Sequence, residues 1–158
     1  MHRRTMRKII AAINMTLDGI GDHTAITPDE EIHQHYADLL GSADAILPKI
    51  VFSHTLQSTG WESATLATIP LHDEVMSLKQ QAGGNIFVGS RSLIIQLLGL
   101  NLIDELQLCV HPMVAGSGRP LFENISRSKS FNLLRTKTFA GGAVLLYYVP
   151  AADPPLNQ

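Results

Sequence analysis

The sequence predicts an α/β fold of three layers, with helices on both faces of a mixed, mostly parallel central sheet. Two observations predict it. Short apolar runs alternate with segments of helical periodicity in the first part of the chain, as strands linked by crossover helices require. After residue 130, two strand-like runs are joined by Ala140-Gly141-Gly142, which predicts an antiparallel C-terminal hairpin. This order predicts a sheet that is parallel first and antiparallel at its end.

Each element has its own signal. Asp18-Gly19 predicts a turn after the first strand. Thr27 predicts the N-cap of the first helix, because Pro28 and Glu30 follow it as in a capping box. The run 86–88 predicts a strand buried on both faces, and the alternation over 105–111 predicts an antiparallel strand with one better-buried face. The predicted strands are 9–15, 49–53, 86–88, 105–111, 131–139 and 143–149, and the predicted helices are 27–41, 70–81 and 91–98.

Pro48 marks an irregularity in this pattern. Strand-like runs over 44–47 and 49–53 have only this residue between them. Parallel neighbours need a crossover of about a dozen residues, and a hairpin needs about two loop residues. The sequence therefore predicts either one strand interrupted by a proline or two pieces bent apart, at a sheet edge or a bulge.

Composition bounds the class of protein. The 158 residues predict one domain over 1–150, followed by a loose tail over 151–158. With 45% hydrophobic and 16% charged residues, the chain is typical of a packed globular core. A net charge of −2 without a long basic run argues against nucleic-acid binding, and the apolar run 9–13 is too short for a membrane span. The single cysteine, Cys109, favours a reducing compartment, so we expect a cytoplasmic protein with Cys109 as a packing residue.

The stretch from Gly83 to Leu93 carries the strongest local signal for function. It predicts a helix end, a strand, a tight turn at Gly89 and a helix capped by Ser90. The free N–H groups and the positive dipole end of such a helix suit an anion such as a pyrophosphate. The same turn is expected if the loop binds nothing, so the pattern leaves both interpretations open.

Other polar clusters have simpler interpretations. His33 and His35 are two positions apart on a predicted helix and point in different directions, so we predict no metal site. Glu31 and His35 are interpreted as a surface pair. Asp104 and Glu105 are interpreted as a solvated strand start.

Several segments, taken in order, resemble the dihydrofolate reductase-like superfamily. Within it, they most resemble the reductase domain at the C-terminus of bacterial bifunctional riboflavin-biosynthesis deaminase–reductases and its stand-alone relatives. Each motif alone is weak, but the ordered set covers nearly the whole chain. The segments are Ile9–Gly19, Lys49–Leu56, Gly89–Leu93, Gly99–Leu106, Val110–Phe122 and the final hairpin.

The resemblance implies an NADPH-dependent reductase, commonly a homodimer, acting on a small heterocyclic or carbonyl-type substrate such as a riboflavin precursor or a pterin. It also implies that Ala12, Asn14 and Asp18 line the nicotinamide and substrate pocket. Hydride transfer needs a proton for the partner atom, and Asp18, or water that it holds, is the candidate source. The alternative is that Asp18 only forms the Asp-Gly turn.

The resemblance further implies a phosphate site on two loops. In the first, Ser53 carries over to the 2′-phosphate, and His54 replaces the usual arginine, a stronger phosphate partner. In the second, the residues expected at the pyrophosphate are Gly89, Ser90, Arg91 and Ser92. Relatives carry an additional motif and helix where this chain has Pro48, so the fold is expected to lack one crossover helix. That loss leaves a second hypothesis, a non-catalytic dimeric remnant of the fold with impaired cofactor binding.

Overall fold

The structure, a computed structural model, describes residues 6–42 and 49–152. The predicted strand at 44–47, Pro48 and the end of the tail lie outside these residues. The strands are β1 (Ile9–Thr16), β2 (Lys49–Val51), β3 (Ala64–Leu66), β4 (Ile86–Val88), β5 (Glu105–His111), β6 (Phe131–Thr138) and β7 (Val144–Pro150). The helices are α1 (Glu30–Ser42), α2 (Leu71–Gln80) and α3 (Arg91–Gly99). None of the helices in the described part of the chain combines the length and apolarity that crossing a bilayer requires.

Five strands form the main sheet in the order β4-β1-β5-β7-β6. β1 pairs in parallel with β4 and β5, and β7 pairs antiparallel with β5 and β6. β2 and β3 form a separate parallel pair. The prediction of a mixed sheet that closes with an antiparallel hairpin is confirmed. β3 was not predicted, because three residues are too few to show alternation.

The two faces of the main sheet pack against different helices. On one face, Ile94 and Leu97 of α3 belong to a core that also includes Val75 of α2. On the other face, Ile32 of α1 packs with Cys109 and its neighbours. Each such buried side chain stabilises the fold by about 1.5–3 kcal/mol. The predicted three layers are therefore confirmed.

Cys109 is a packing residue, as predicted. It is fully buried within the cluster under α1, together with Phe139 and Leu145. Burial raises the pKa of its thiol to about 11, so the side chain is a neutral thiol at neutral pH.

β4 and β5 differ from the predictions because of their places in the sheet. β4 was expected to be buried on both faces, but it is only half-buried because it lies at the edge of the described sheet. β5 was expected to be antiparallel with one better-buried face. It lies between parallel β1 and antiparallel β7, and both of its faces are covered: Leu106 and Gln107 on opposite faces are each 2% exposed.

Helix α1 begins later than the capping box suggests. The Oδ1 atom of Asp29 accepts a hydrogen bond of 3.0 Å from the backbone N–H of Ile32. Asp29 therefore caps the helix, and the prediction that Thr27 caps it is wrong. Thr27 and Glu30 fit the capping-box spacing, but the helix starts at Glu30, so only the residue immediately before it can cap.

The first turn of α1 is tied to the C-terminal hairpin. Glu31 accepts a hydrogen bond of 2.8 Å from the backbone N–H of Ala140. A long-range contact therefore replaces the expected surface pair of Glu31 with His35. The Nδ1 atom of His35 lies 3.5 Å from the Nζ atom of Lys137 instead.

Asp104 connects the start of β5 to α2 and β1. Its Oδ2 atom lies 2.6 Å from Nζ of Lys79, whose side chain is 9% exposed. The same oxygen accepts a 2.7 Å hydrogen bond from the backbone N–H of Ile9. The interpretation of Asp104 as a solvated strand start is therefore wrong, because this carboxylate compensates a buried ammonium group.

Candidate active site

A cavity of about 620 Å³ lies where β1 and β4 end and α3 begins. β1 and the β4–α3 turn form part of its wall, and α1 with the loop before it forms another part. In open α/β sheets, ligands bind at the carboxyl ends of parallel strands, as here. The lining residues are Ala12, Ile13, Asn14, Gly21, His23, Ile26, Pro28, Tyr36, Leu40, Phe87, Gly89, Ser90 and Arg91.

Gly89 keeps the β4–α3 turn open. A Cβ atom at this position would lie 3.1 Å from Cε1 of Phe87 and 3.8 Å from the carbonyl oxygen of Ala12. Even a methyl group would therefore press on the Phe87 ring and narrow the cavity. The absence of a side chain lets a ligand approach the backbone of the turn.

The start of α3 presents backbone donors. Ser90 occupies the N-cap position, but its side chain forms no cap hydrogen bond. Its hydroxyl lies 3.1 Å from the hydroxyl of Ser92, which explains why the expected side-chain cap is missing. The N–H groups of a helical first turn have no intrahelical carbonyl partner, and the helix dipole adds partial positive charge. The turn therefore has the chemistry of an anion site.

Arg91 joins α3 to the loop after β5. Its guanidinium group lies 2.5 Å from a carboxylate oxygen of Glu123, and its Nε donates a 2.7 Å hydrogen bond to the carbonyl oxygen of Pro120. Because Glu123 compensates its charge, Arg91 adds less positive potential to the cavity than an unpaired arginine would.

Asn14 lines the cavity and contacts two side chains whose polar role the sequence does not predict. The Nε2 atom of His111 lies 3.0 Å from Oδ1 of Asn14, and the hydroxyl of Tyr36 donates to the same oxygen at 3.5 Å. Tyr36 fits the apolar stripe of α1, which hides any polar role. His111 lies 97 positions from Asn14, so no local pattern connects them.

The sequence of the chain, compared with known families, decides its classification. The family model described as RibD C-terminal domain matches residues 26–145. The chain belongs to the RibD C-terminal domain family. The predicted superfamily is thereby confirmed.

Two curated relatives of this RibD C-terminal domain come from Bacillus subtilis (strain 168). The uncharacterized protein YyaP is 36% identical over 101 residues, which cover 63% of the chain and 53% of YyaP. The uncharacterized protein YwjB is 41% identical over 75 residues, which cover 47% of the chain and 42% of YwjB. The chain thus matches about half the length of these relatives.

Solved structures show the same fold. A provisionally named riboflavin biosynthesis protein from Shewanella sp. PV-4 matches with a TM-score of 0.76 and 21% identity, over 92% of this chain and 99% of the other. A pyrimidine reductase-like protein from Corynebacterium diphtheriae matches with a TM-score of 0.70 and 14% identity, over 93% of both chains. The dihydrofolate reductase from Enterococcus faecalis, complexed with NADP(H), matches with a TM-score of 0.65 and 11% identity, over 92% and 97%. The dihydrofolate reductase-like fold is confirmed.

Asp18 accepts three hydrogen bonds from nearby groups. Its Oδ1 accepts from the hydroxyl of Thr16 at 2.5 Å and from the backbone N–H of Ala115 at 3.0 Å, and its Oδ2 accepts from the N–H of Gly116 at 2.8 Å. These hydrogen bonds lower the pKa of Asp18 to about 2, and the one from Thr16 has the largest effect. Asp18 is not among the cavity-lining residues, so its surroundings favour a turn-forming and loop-anchoring role, and its catalytic role stays a prediction.

The low pKa of Asp18 predicts an acid-dependent loss of stability. Because the folded-state pKa is about 2 and the unfolded value is near 3.8, the stabilisation is present above pH 4 and is lost as the pH falls through about 2. We expect Asp18→Asn to lower the urea midpoint at pH 7 and to flatten its fall between pH 4 and pH 2. Urea titrations across this range measure both effects.

Glu62→Gln, at an exposed carboxylate before β3, is the matched control. It should leave the urea midpoint and its pH dependence unchanged. An Asp18→Asn protein with the wild-type pH profile would contradict the anchoring role.

Ser53 and His54 lie in a turn after β2. The Oγ atom of Ser53 accepts hydrogen bonds from the backbone N–H groups of Thr55, at 3.2 Å, and Leu56, at 3.1 Å, in a turn after β2. Neither Ser53 nor His54 is among the lining residues, whereas Ala12, Asn14, Gly89, Ser90 and Arg91 are. The loop from Gly89 to Arg91 therefore lines the cavity, and the role of Ser53 and His54 at a 2′-phosphate stays a prediction. Across residues 6–42 and 49–152, no three His, Cys, Asp or Glu side chains are grouped as a metal site requires.

Proposed function

We propose that the chain is an NADPH-dependent reductase that transfers a hydride to a small heterocyclic or carbonyl-type substrate. One observation carries the proposal: the cavity is bounded both by β1 and by the uncapped start of α3 after Gly89. Membership of the RibD C-terminal domain family supports a reductase. The fold shared with a dihydrofolate reductase complexed with NADP(H) supports the cofactor.

The residues of the cavity fit a nicotinamide dinucleotide. The volume of the cavity, about 620 Å³, lies within the range of small-molecule sites. The first-turn N–H groups of α3 would hold the diphosphate, since a helix N-terminus after a glycine turn suits phosphate. Ala12 and Asn14 of β1 would border the nicotinamide ring. When bound, NADPH supplies the hydride.

The chain's own side chains would exclude water and orient the ring. Ile26 and Phe87 contribute apolar surface to the cavity, and a dry site strengthens the hydrogen bonds within it. Because Asp18 is ionised at neutral pH and accepts from Thr16 and the 115–116 backbone, we propose that the proton comes from solvent rather than from this carboxyl group.

Calorimetric titration with NADPH and with NADH tests the proposal. We expect saturable, micromolar binding of NADPH and binding of NADH weaker by at least about tenfold. We also expect the protein to oxidise NADPH in the presence of a ring carbonyl compound. The fall in NADPH absorbance measures this reaction.

The outcomes separate the hypotheses. Equal binding of the two cofactors would contradict a 2′-phosphate preference, the property that we propose for Ser53 and His54. No saturable heat with either would favour the non-catalytic remnant of the fold.

We also propose that two copies associate through the outer edge of the sheet. β6 is the last strand in the sheet order, and nearly all of its residues are exposed. Leu133 and Leu134 on this strand are 51% and 57% exposed. Among the residues that the structure describes, no strand pairs with the outer edge of β6. An open edge that carries apolar side chains supports pairing with a second chain.

A further inference from the structure

Three polar side chains converge on the face of the sheet that α1 covers. Asn14 lies on β1, His111 at the end of β5 and Tyr36 on α1. His111 is 6% exposed and Tyr36 is half-buried. Polar groups this well buried are costly unless they are hydrogen-bonded, and both meet the same atom, Oδ1 of Asn14.

Both partners act as donors to Asn14. Burial lowers the pKa of His111, so its imidazole is neutral at neutral pH and carries one N–H group. A hydrogen bond to Oδ1 requires that proton on Nε2. Burial raises the pKa of Tyr36, which keeps its hydroxyl protonated and able to donate.

This arrangement leaves the other end of the Asn14 amide for a ligand. Within the described residues, both side-chain hydrogen bonds of Asn14 end on Oδ1. The oxygen and nitrogen of the planar amide point in different directions, so Nδ2 is turned away from His111. Asn14 itself lines the cavity.

We infer that His111 and Tyr36 are positioning residues that lock the Asn14 amide, so that its Nδ2–H donates to a carbonyl oxygen on the ring bound in the cavity. The inference rests on the proposed function, since the ring belongs either to the nicotinamide carboxamide or to a carbonyl-bearing substrate. A ligand that lacked this acceptor would leave a desolvated donor unpaired, which gives the site selectivity for carbonyl-bearing rings.

A double-mutant cycle tests the positioning role. We expect His111→Leu and Asn14→Ala each to weaken binding of the probe that Asn14 contacts, NADPH or uracil, about tenfold, the loss of one hydrogen bond. In the Asn14→Ala background, His111→Leu should have no further effect, because His111 acts through Asn14. His111→Gln, which keeps an N–H donor, should restore most of the affinity. Additive losses, or no rescue by glutamine, would overturn the inference.

A nitrogen-15 NMR measurement tests the geometry without any ligand. We expect neutral His111 to carry its proton on Nε2. A proton on Nδ1 would reverse the hydrogen bond with Asn14 and overturn the inference, whether or not the protein binds NADPH.

Titration of the same sample with NADPH, and separately with uracil as a ring with two carbonyl groups, identifies the acceptor. A shift of the Asn14 side-chain amide signals with NADPH assigns the acceptor to the nicotinamide carboxamide, and a shift with uracil assigns it to a substrate ring. If NADPH shifts other protein signals but the Asn14 side-chain amide moves in neither titration, the inference is overturned and the proposed function stands. No NADPH response anywhere would instead count against the proposed function.

Discussion

Replacing Gly89 with valine is expected to weaken NADPH binding by about a hundredfold. A Cβ atom here would already lie 3.1 Å from the Phe87 ring, so the two further methyl groups of valine must occupy the cavity where the ligand would approach the turn. The diphosphate would lose charge-assisted hydrogen bonds to the start of α3, and about 2.7 kcal/mol corresponds to a hundredfold loss. Isothermal titration calorimetry measures the dissociation constant of NADPH.

The matched control lies at the other end of the same helix. A Cβ atom at Gly99 would meet nothing within 4 Å, so Gly99→Ala should leave NADPH binding unchanged. Gly89→Val should remain folded, at a stability cost of about 1 kcal/mol for overpacking against Phe87. A folded Gly89→Val protein that binds NADPH like wild type would refute a ligand site at this turn.

Replacing Asp104 with alanine is expected to lower the free energy of unfolding by about 3 kcal/mol. The change removes the carboxylate that lies 2.6 Å from the buried ammonium group of Lys79. It also removes the acceptor of the Ile9 backbone N–H, so two polar groups lose their partner at once. Urea denaturation followed by circular dichroism gives the free energy of unfolding.

Lys79→Met distinguishes a buried charge from a merely close contact. It replaces the ammonium group with an apolar side chain and leaves Asp104, which is 35% exposed, able to accept from Ile9. We expect a loss of about 1 kcal/mol or less, because solvent still reaches the carboxylate. Equal losses in the two variants would contradict this asymmetry.

Periodicity predicted most of this fold because its strands and helices show their patterns locally. β5 has the predicted bounds, and α3 ends one residue later than predicted. The errors arose where the outcome depended on distant partners. Asp104 looked solvated because Lys79, which it compensates, lies 25 positions away. β4 looked doubly buried because three apolar residues do not reveal that the strand lies at an edge.

The site was predictable to a smaller extent. The turn at Gly89 and the strand residues Ala12 and Asn14 line one cavity, and both segments had been singled out from the sequence. The sequence also indicates Asp18, but this residue lies outside the cavity lining, because the backbone N–H groups of residues 115 and 116 hold its carboxylate. The contact of His111 with Asn14 depends on sheet register, which a single sequence does not reveal.

The position of β1 in the sheet has a consequence for synthesis. Its two neighbours, β4 and β5, both come much later in the chain, and the hydrogen bond from Ile9 to Asp104 spans 95 positions. At ribosomal speed, the apolar first strand waits roughly 5–20 s for its last neighbour. During that time its unpaired edges are exposed to other nascent chains, so we expect chaperones to capture β1 during synthesis.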